Sequence, residues 1–222
     1  MSKIGLAKKV CDRFDLWVDT GCAGLGGYIF ENKIYERGLT EDIISRVGKS
    51  DLAIDIGANV GYFTCLFASL VGEYGEVIAF EPNSQNYELL RKNISINGFS
   101  NVTCINSAVG SISDQKELFL SRNNTGAHSL RKELVPNLNE LESEEVNIIS
   151  LSTFIGKRPV SFIKIDVQGY EIEVLKGYDP ENTKAIWCEL WKETGDCDKI
   201  KDYLSRMFPN IRICYDGILA WR

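Results

Sequence analysis

Residues 52 to 63 read Leu-Ala-Ile-Asp-Ile-Gly-Ala-Asn-Val-Gly-Tyr-Phe, and this stretch decides the fold. Its apolar first half predicts a strand that is buried on both faces, as in a parallel sheet. Asp55 is the exception, because a carboxylate in such a strand needs a partner. Gly57 and Gly61 allow the backbone to turn sharply after the strand. Helical spacing of the apolar residues from Val60 onward then predicts a strand, a tight loop and a helix.

Two phosphate-binding motifs fit this loop poorly, although glycine loops before helices commonly bind anions. A dinucleotide-binding loop requires G-x-G-x-x-G, whereas Asn59 stands where the second glycine would be. The run Gly48-Lys49-Ser50 is similar to the end of a P-loop, but Ile43 occupies the position of its first glycine. A strand also follows this run where a P-loop requires a helix. The sequence therefore does not predict a phosphate site here.

The pattern that remains, D-x-G-x-x-x-G from Asp55 to Gly61, resembles the first motif of class I S-adenosylmethionine (SAM) methyltransferases. In those enzymes the loop faces an amino acid and a sulfonium. A nearby carboxylate attracts the cationic ends of that ligand, whereas it would repel a diphosphate. The motif alone leaves other nucleotides and a plain strand-to-helix turn open, so support has to come from downstream.

A second carboxylate, Glu81, follows a second apolar strand at Val77 to Phe80, and Pro82 ends that strand. In nucleotide-binding α/β folds a carboxylate at this place accepts hydrogen bonds from both ribose hydroxyls. The alternative is a charged strand end in solvent. A third strand is predicted at Val102 to Asn106, which would bring Ser107-Ala108 beside an adenine ring.

The fourth predicted strand, Phe162 to Val167, carries two charged residues. Lys164 and Asp166 share one face of it, because side chains alternate along a strand. A lysine in so apolar a strand must pair with an acid or lie at an edge. Asp166, Glu171 and Glu189 are the candidate partners.

Between residues 121 and 145 the pattern becomes polar and loses its period, which favours a substrate lid over a disordered excursion. Short strands at 117–120 and 146–149 would anchor this lid. His128, the single histidine, lies within it. Histidine is the side chain whose ordinary pKa suits a base near neutral pH, although a solvated histidine is the alternative.

The chain ends with two short apolar runs, Ile211 to Tyr215 and Ile218 to Trp221, on either side of Asp216-Gly217, a hairpin signal. Alternating strands and helices predict an α/β fold. We expect a Rossmann-like, mostly parallel seven-stranded sheet with an antiparallel terminal hairpin and helices on both faces. Class I methyltransferases close their sheet in this way, whereas dinucleotide dehydrogenases usually continue in parallel.

We predict an N-terminal helical extension at residues 1–50, packed on a SAM-dependent methyltransferase domain at 51–222. Helical spacing at residues 4–18 indicates a helix there, on a stripe formed by Ile4, Ala7, Val10, Cys11, Phe14, Trp17 and Val18.

Composition limits the classes of function. The chain has 222 residues, of which 44% are hydrophobic and 25% are charged, as in soluble globular domains. A net charge of −6 and a pI near 5.0 give no general attraction to nucleic acid or anionic membranes. Seven cysteines without a C-x-x-C pair, with a single histidine, disfavour a metal site and favour the reducing cytoplasm. The charged N-terminus is unlike a signal peptide, and no apolar run approaches the ~20 residues of a membrane span.

Four segments together resemble the FkbM family of SAM-dependent methyltransferases, namely Ile54–Gly61, Ala79–Pro82, Ala108–Gly110 and Lys164–Glu171. The similarity runs from about Tyr35 to Glu189. Its most specific element is Lys-Ile-Asp-Val-x-Gly-x-Glu, in which the family usually has glutamate where this chain has Gln168. That departure removes one candidate base and leaves Asp166 as the better one.

The resemblance implies methyl transfer from SAM, with S-adenosylhomocysteine as the product. The implied acceptor is most often a hydroxyl of a sugar, a polyketide or another small molecule, and some relatives act on an amide nitrogen. An inactive SAM-binding partner subunit and, less well supported, a nicotinamide oxidoreductase are the alternatives. Small enzymes of this kind often form homodimers, but no stretch of the sequence decides the oligomeric state.

The resemblance also implies the site. The catalytic candidates are Asp166, as a base or an acceptor contact, His128, as a competing base, and Lys164. Tyr35 and Glu36 are expected to cover the SAM site. The residues expected to hold SAM are Asp55, Gly57, Asn59, Gly61, Tyr62, Phe63, Glu81, Pro82, Asn83, Ser107, Ala108, Asp166 and Val167.

Overall fold

The computed structural model describes residues 4–20, 25–122, 124–135, 142–214 and 216–222. In chain order its strands are β1 (Ile4–Val10), β2 (Phe14–Asp19), β3 (Leu52–Ile56), β4 (Glu76–Phe80), β5 (Val102–Ile105), β6 (Ala108–Gly110), β7 (Asp114–Leu120), β8 (Glu142–Ser150), β9 (Val160–Ile165), β10 (Thr183–Glu189), β11 (Asn210–Ile213) and β12 (Gly217–Trp221). The α-helices are α1 (Leu25–Asn32), α2 (Arg37–Arg46), α3 (Tyr62–Val71), α4 (Ser84–Ile96), α5 (Leu151–Ile155), α6 (Glu171–Lys176) and α7 (Cys197–Met207).

The central sheet has seven strands in the order β11-β12-β10-β9-β3-β4-β5. Strand β3 pairs in parallel with both β4 and β9, whereas β12 runs antiparallel between β10 and β11. Strands β4 and β5 follow β3 on one side of it, and β9 is the strand that pairs with β3 on its other side. Ligands of α/β sheets bind beyond the carboxyl ends of the strands at such a reversal. The predicted Rossmann-like sheet with an antiparallel terminal hairpin is confirmed, and Tyr215, which the prediction included in the first strand of that hairpin, lies outside the described residues.

Helices cover both faces of the sheet because alternate strand residues point to opposite sides. Ala53 and Phe162 pack with residues of α2, α3 and α4 on one face. Ile54 and Ile163 pack with residues of α5, α6 and α7 on the other. All five residues of β3 are buried, as predicted for a strand covered on both sides.

The helix predicted at residues 4–18 is wrong, since this segment forms the antiparallel hairpin of β1 and β2. Buried residues alternate along β2, a period of two that the short helical stripe concealed. The turn residues Cys11 and Asp12 adopt φ of 50° and 56°, a left-handed conformation that reverses the chain. Over so short a segment, the same apolar residues fit both the spacing of a helix and the alternation of a strand.

Helices α1 and α2 pack against the central sheet's helix layer. Buried Ile29 of α1 and Ile43 of α2 join the same hydrophobic cluster as α3. The Asn93 side chain of α4 accepts a hydrogen bond from the Trp17 amide at 2.7 Å and donates to the Trp17 carbonyl at 2.9 Å. The hairpin is therefore tied to a helix of the central domain by hydrogen bonds as well as by apolar contacts.

A small three-stranded sheet, β6-β8-β7, carries the predicted lid. Strands β7 and β8 pair antiparallel from Asp114 opposite Ile148 to Leu120 opposite Glu142. The strands predicted at 117–120 and 146–149 are confirmed as parts of these longer strands, so the end of the predicted insertion is strand. Residues 136–141 lie outside the described residues. Within the parts of the chain that the structure describes, we find no helix whose length and apolarity would suit a membrane span.

Candidate active site

The loop after β3 lies directly against the ends of its two neighbouring strands. The amides of Gly57 and Ala58 donate to the Phe80 carbonyl at 3.0 and 2.9 Å. Gly57 has φ of 79°, and a Cβ there would lie 1.8 Å from the Asp166 carbonyl oxygen. Only glycine allows both the left-handed conformation and this close approach. The loop therefore joins β4 and β9 at the edge where a ligand would bind.

A cavity of about 420 Å³ opens beyond this loop. That volume lies within the usual range for small-molecule sites. The cavity joins residues that are far apart in the sequence, and the predicted site residues on its wall are Gly57, Asn59, Tyr62, Phe63, Glu81, Pro82, Ala108, His128, Lys164, Asp166 and Val167.

Four predicted site residues support the wall from behind without lining it, namely Asp55, Gly61, Asn83 and Ser107. Asp55 is fully buried and accepts a hydrogen bond from the Thr64 hydroxyl at 2.6 Å. A Cβ on Gly61 would lie 2.6 Å from a Leu90 methyl carbon, so this glycine lets α3 and α4 pack closely. The Asn83 side chain caps α4 by accepting from the Asn86 amide at 2.9 Å.

Glu81 forms one end of the cavity with both of its carboxyl oxygens fixed. Oε2 accepts from the Asn59 amide at 2.7 Å, and Oε1 accepts from the Asn83 amide at 2.9 Å. Burial raises the pKa of Glu81 to about 7, against the lowering effect of these two hydrogen bonds. Each carboxylate oxygen keeps a further lone pair for a ligand hydroxyl.

Lys164 lies at the other end and is held between two carboxylates. Its Nζ is 3.4 Å from Asp55 Oδ1 and 3.2 Å from Asp166 Oδ2, and it donates to the Gly57 carbonyl at 2.9 Å. Burial disfavours the ammonium, but Asp166 and Asp55 keep the pKa of Lys164 above its ordinary value. Asp166, one of the three predicted candidate partners of Lys164, pairs with it, and Asp55 obtains the partner that its burial requires.

Asp166 stays ionised although it is largely covered. Burial would raise its pKa, but the Lys164 ammonium and hydrogen bonds from Glu189 and Gln168 lower it below the ordinary value. Glu171, another predicted partner of Lys164, instead accepts from the amides of Val167 and Gly169 at 3.1 and 3.0 Å. It fixes the turn after β9 and is absent from the cavity wall.

The neighbours of Gln168 give a physical reason for an amide where the family usually has glutamate. Its Nε2 donates to Asp166 Oδ1 at 2.7 Å and to Glu189 Oε2 at 2.9 Å. Burial, together with the nearby Asp166 carboxylate, raises the pKa of Glu189 well above its ordinary value, which favours its protonated form. The amide bridges two acids at a position where a glutamate would add a third.

His128 lines the cavity with one ring nitrogen already engaged. Its Nδ1 accepts a hydrogen bond from the Ser121 amide at 3.0 Å, and burial lowers the pKa of the ring. The neutral ring with Nδ1 as acceptor carries its proton on Nε2. In this arrangement Nε2 is a hydrogen-bond donor, which a general base could not be.

The segment around His128 covers the cavity through main-chain contacts. The Thr125 carbonyl accepts from the Asn86 side chain at 3.0 Å, and the Ser129 hydroxyl donates to the Gln168 carbonyl at 2.7 Å. The strand behind the lid is also attached to α4, since Glu144 accepts from the Asn83 side chain and from the Ser84 amide and hydroxyl. These contacts join the insertion to both ends of the cavity.

Tyr35 and Glu36 line the cavity from the N-terminal side, as expected. The Tyr62 hydroxyl accepts from the Tyr35 amide at 2.9 Å and lies 3.1 Å from the Thr40 hydroxyl, which donates to the Tyr35 carbonyl. The rings of Tyr35 and Tyr62 meet edge to face with centroids 5.8 Å apart. Helix α3 thus positions a segment that precedes the central domain.

Sequence reasoning missed several wall residues, namely Tyr28, Asn86, Val109, Leu118, Asn124, Thr125, Gly126 and Leu130. It considered Glu189 only as a partner of Lys164, whereas Glu189 also lines the cavity. Most lie in the lid or on helix faces, where a residue's neighbours depend on tertiary packing. Asn86 had a usable signal, because it lies in the first turn of the helix predicted to follow the strand that ends at Glu81.

This strand order, with its antiparallel strand inserted beside the last parallel one and a cavity at the reversal, defines the class I methyltransferase architecture. A sequence model of one family, described as Methyltransferase FkbM domain, matches residues 55–207. The chain therefore belongs to the FkbM methyltransferase family.

Related proteins agree with this assignment. Methyltransferase 1 of Beauveria bassiana is 26% identical over 173 residues, which cover 68% of this chain and 69% of that protein. Methyltransferase sdnD of Sordaria araneosa is 24% identical over 194 residues, which cover 73% and 74%.

Solved structures share the fold at low sequence identity. A methyltransferase FkbM from Methylobacillus flagellatus KT superposes with a TM-score of 0.55 at 17% identity, covering 80% of this chain and 44% of that one. A methyltransferase from Geobacter sulfurreducens gives 0.50 at 16% identity, covering 84% and 76%.

Proposed function

We propose that this protein transfers a methyl group from SAM to a hydroxyl oxygen of a small-molecule or glycan acceptor. One observation carries the proposal, namely a cavity at the reversal of the sheet with the Glu81 carboxylate at one end and Asp166, paired with Lys164, at the other. The family to which the chain belongs supports the reaction class. The choice of oxygen over nitrogen follows the family resemblance.

The donor set of the cavity fits SAM. Glu81 presents two fixed carboxylate oxygens, which suit the two hydroxyls of a ribose. Pro82, Ala108 and Val109 give an apolar wall for the adenine. The negative charge of Asp166 favours a ligand that carries an ammonium and a sulfonium. When bound, SAM supplies an electrophilic methyl group on sulfur.

The chain's own residues would accelerate transfer mainly by positioning the acceptor and excluding water. The lid segment closes one side of the cavity through the Ser129–Gln168 hydrogen bond. Asp166 accepts from Gln168 and pairs with Lys164, which holds its carboxylate in one orientation. We assign it the task of orienting the acceptor, with the Nε2–H of His128 as a donor on the lid side.

Thermal unfolding of the purified protein with SAM, S-adenosylhomocysteine or NAD tests the cofactor. A ligand at a hundred times its Kd adds about 2.7 kcal/mol, or roughly 5 to 11 °C for a domain of this size. We expect a shift with the two SAM species alone. A larger shift with NAD, or none with SAM, would refute the assignment.

Transfer of label from methyl-labelled SAM tests the acceptor class. The panel contains monosaccharides, polyols and phenols as hydroxyl acceptors and short peptides as amide acceptors. Label on hydroxyl compounds supports the proposal, and label on peptides alone would replace it with N-methylation. Binding of SAM without transfer to any acceptor would favour a non-catalytic SAM-binding subunit.

A further inference from the structure

The two expected bases are both poorly suited to remove the acceptor's proton. Asp166 already accepts from Gln168 and pairs with Lys164, interactions that lower its pKa and weaken it as a base. His128 uses Nδ1 to accept from the Ser121 amide. Transfer to a neutral hydroxyl still requires a group that takes the proton. The cavity contains a third carboxyl group with different surroundings.

Glu36 lies immediately before α2 in a strained backbone conformation. Its φ and ψ are 40° and 64°, in the left-handed region that residues other than glycine rarely adopt. Such strain persists where the surrounding structure holds it and is concentrated at functional sites. Here the Tyr62 hydroxyl and the Thr40 side chain fix the adjoining Tyr35 backbone. The structure therefore holds the Glu36 carboxyl group at the cavity despite a backbone cost.

The Glu36 carboxyl group has an oxygen that the protein does not satisfy. Oε2 is buried and has no hydrogen-bond partner among the residues that the structure describes. A buried, unpaired acceptor is costly, and native proteins seldom keep one without a role. Because the same side chain lines the cavity, an acceptor hydroxyl there could supply the missing hydrogen bond.

Glu36 also borders a second cavity. A cavity of about 600 Å³ lies between the start of α2 and the terminal hairpin, and Glu36 is the residue that lines both. The two arginines on the second cavity's wall have carboxylate partners of their own, since Arg212 pairs with Asp42 and Arg37 with Glu41. An acceptor longer than the space beside Asp166 would extend past Glu36 into this second cavity.

We propose that Glu36 takes the proton from the acceptor, which binds across the junction of the two cavities. This proposal rests on the proposed function. The acceptor O–H bond breaks, its proton goes to the Glu36 carboxylate, and its electron pair forms the new bond from oxygen to the methyl carbon. The bond from methyl to sulfur breaks, and its electron pair remains on sulfur, which loses its positive charge.

The charges around Glu36 suit a proton acceptor at neutral pH. Burial raises the pKa of Glu36 to about 7, and the carboxylates of Asp166 and Asp216 add to the rise. The Lys164 ammonium and the Tyr35 hydroxyl oppose it. General bases work best when their pKa lies near the working pH. The lower pKa of Asp166 makes that residue the weaker base of the two.

The first test measures protonation without turnover. Carbon-13 NMR of glutamate side chains in the full chain, with S-adenosylhomocysteine present, is followed across pH, and Glu36→Gln identifies the Glu36 signal. We expect a midpoint near 7, the value to which burial raises its pKa. A midpoint at the ordinary carboxyl value would overturn the proposal whatever the turnover experiments show.

The second test measures single-turnover methyl transfer with labelled SAM and the best hydroxyl acceptor of the panel. Glu36→Gln should slow the chemical step by about 10² to 10⁴-fold, while affinity for S-adenosylhomocysteine stays within about threefold of wild type. Glu36→Asp keeps a carboxylate and should recover part of the rate, which separates proton transfer from a folding defect. Glu88→Gln, at an exposed glutamate of α4, is the matched control.

Three outcomes would overturn the proposal. These are a normal rate in Glu36→Gln, a loss of S-adenosylhomocysteine affinity equal to the loss of rate, and a Glu36→Asp variant no faster than Glu36→Gln although it folds normally. If the wild type methylates nothing, the proposed function itself fails. The NMR midpoint then decides alone whether Glu36 holds a proton at neutral pH.

Discussion

The two ends of the cavity use carboxyl groups in opposite ways. At one end Glu81 stands alone, with both oxygens fixed by main-chain amides. At the other end Asp166, Glu189 and Glu36 share a small volume with one lysine, Lys164. Main-chain amides cannot titrate, so the two donors at the first end are fixed, and the Glu81 carboxyl itself, whose pKa burial raises to about 7, is the group that titrates there. At the second end several charged side chains balance one another, so the net charge there depends on which of the carboxyl groups are protonated.

This difference separates recognition from chemistry. A fixed carboxylate with two spare lone pairs suits ligand hydroxyls, whose positions do not change during a reaction. A group of acids around one buried cation can have pKa values shifted in opposite directions, as those of Asp166, lowered, and Glu189, raised, are. Substitutions should therefore affect binding at one end and stability or proton balance at the other.

The largest effect should follow removal of the cation. Lys164→Met leaves Asp55 buried without a counter-ion, and breaking such a pair typically costs about 3 to 5 kcal/mol. Urea unfolding at pH 7 measures this loss. Lys184→Met is the control, because its partner Asp51 is 3.4 Å away but the lysine is exposed, and it should cost below about 1 kcal/mol. Equal losses in the two variants would show that the buried cluster has no special role.

At the opposite end the expected loss is in affinity. Glu81→Ala removes the carboxylate proposed to hold the ribose and should weaken S-adenosylhomocysteine binding by about 1 to 3 kcal/mol, measured by calorimetry. Glu76→Ala changes an exposed glutamate at the start of the same strand, where it pairs with Arg158, and should leave affinity unchanged. Wild-type affinity in Glu81→Ala would refute the ribose role.

Gln168→Glu tests the end of the cavity around Asp166 and Glu189, and the expected loss of stability is smaller. The variant loses the amide that donates to Asp166 and Glu189 and adds a third acid. We expect a loss of about 1 to 2 kcal/mol at pH 8, which shrinks at pH 5 because the new acid then carries a proton and donates again. Gln115→Glu, on the exposed side of β7, should show no such pH dependence. A loss that grows as the pH falls would contradict this account.

A further expected effect is a slope in stability against pH. Burial raises the pKa of Glu171 from 4.5 to about 7. The folded protein then binds this proton more tightly than the unfolded chain, so its unfolding free energy falls as pH rises between these values, by up to about 1.4 kcal/mol per pH unit. Glu171→Gln should flatten this part of the slope in urea titrations. An unaltered slope would show that Glu171 does not titrate there.

The sequence was informative where a function depends on neighbours along the chain. The loop after β3, the acid at the end of β4 and the Lys164–Asp166 pair each follow from a buried strand and the residue that ends it. A parallel sheet brings such strand ends together, so local patterns predicted a shared edge. Asp55 was predicted as a ligand contact, but its side chain is buried behind Lys164. The direction of each side chain decides which acid reaches the cavity.

The features that the sequence did not predict depend on contacts between distant segments. The N-terminal hairpin was mistaken for a helix because its few apolar residues satisfy both periods. The environment of Glu36 is set by the Tyr62 hydroxyl on another helix, which no spacing in the sequence reveals. The raised pKa of Glu189 likewise follows from burial and from Asp166, neither of which is visible before the sheet is assembled.

The pairing of Leu120 with Glu142 has a consequence for how this family can diversify. The segment between them starts and finishes at a single rung of the β7–β8 ladder, and Glu144 fastens that ladder to α4. A replacement of different length would leave both attachment points where they are, and doubling a loop's length costs only about 0.6 kcal/mol in closure entropy. The point between Leu120 and Glu142 is therefore a place where an insertion or deletion would leave the strand ends beneath it intact.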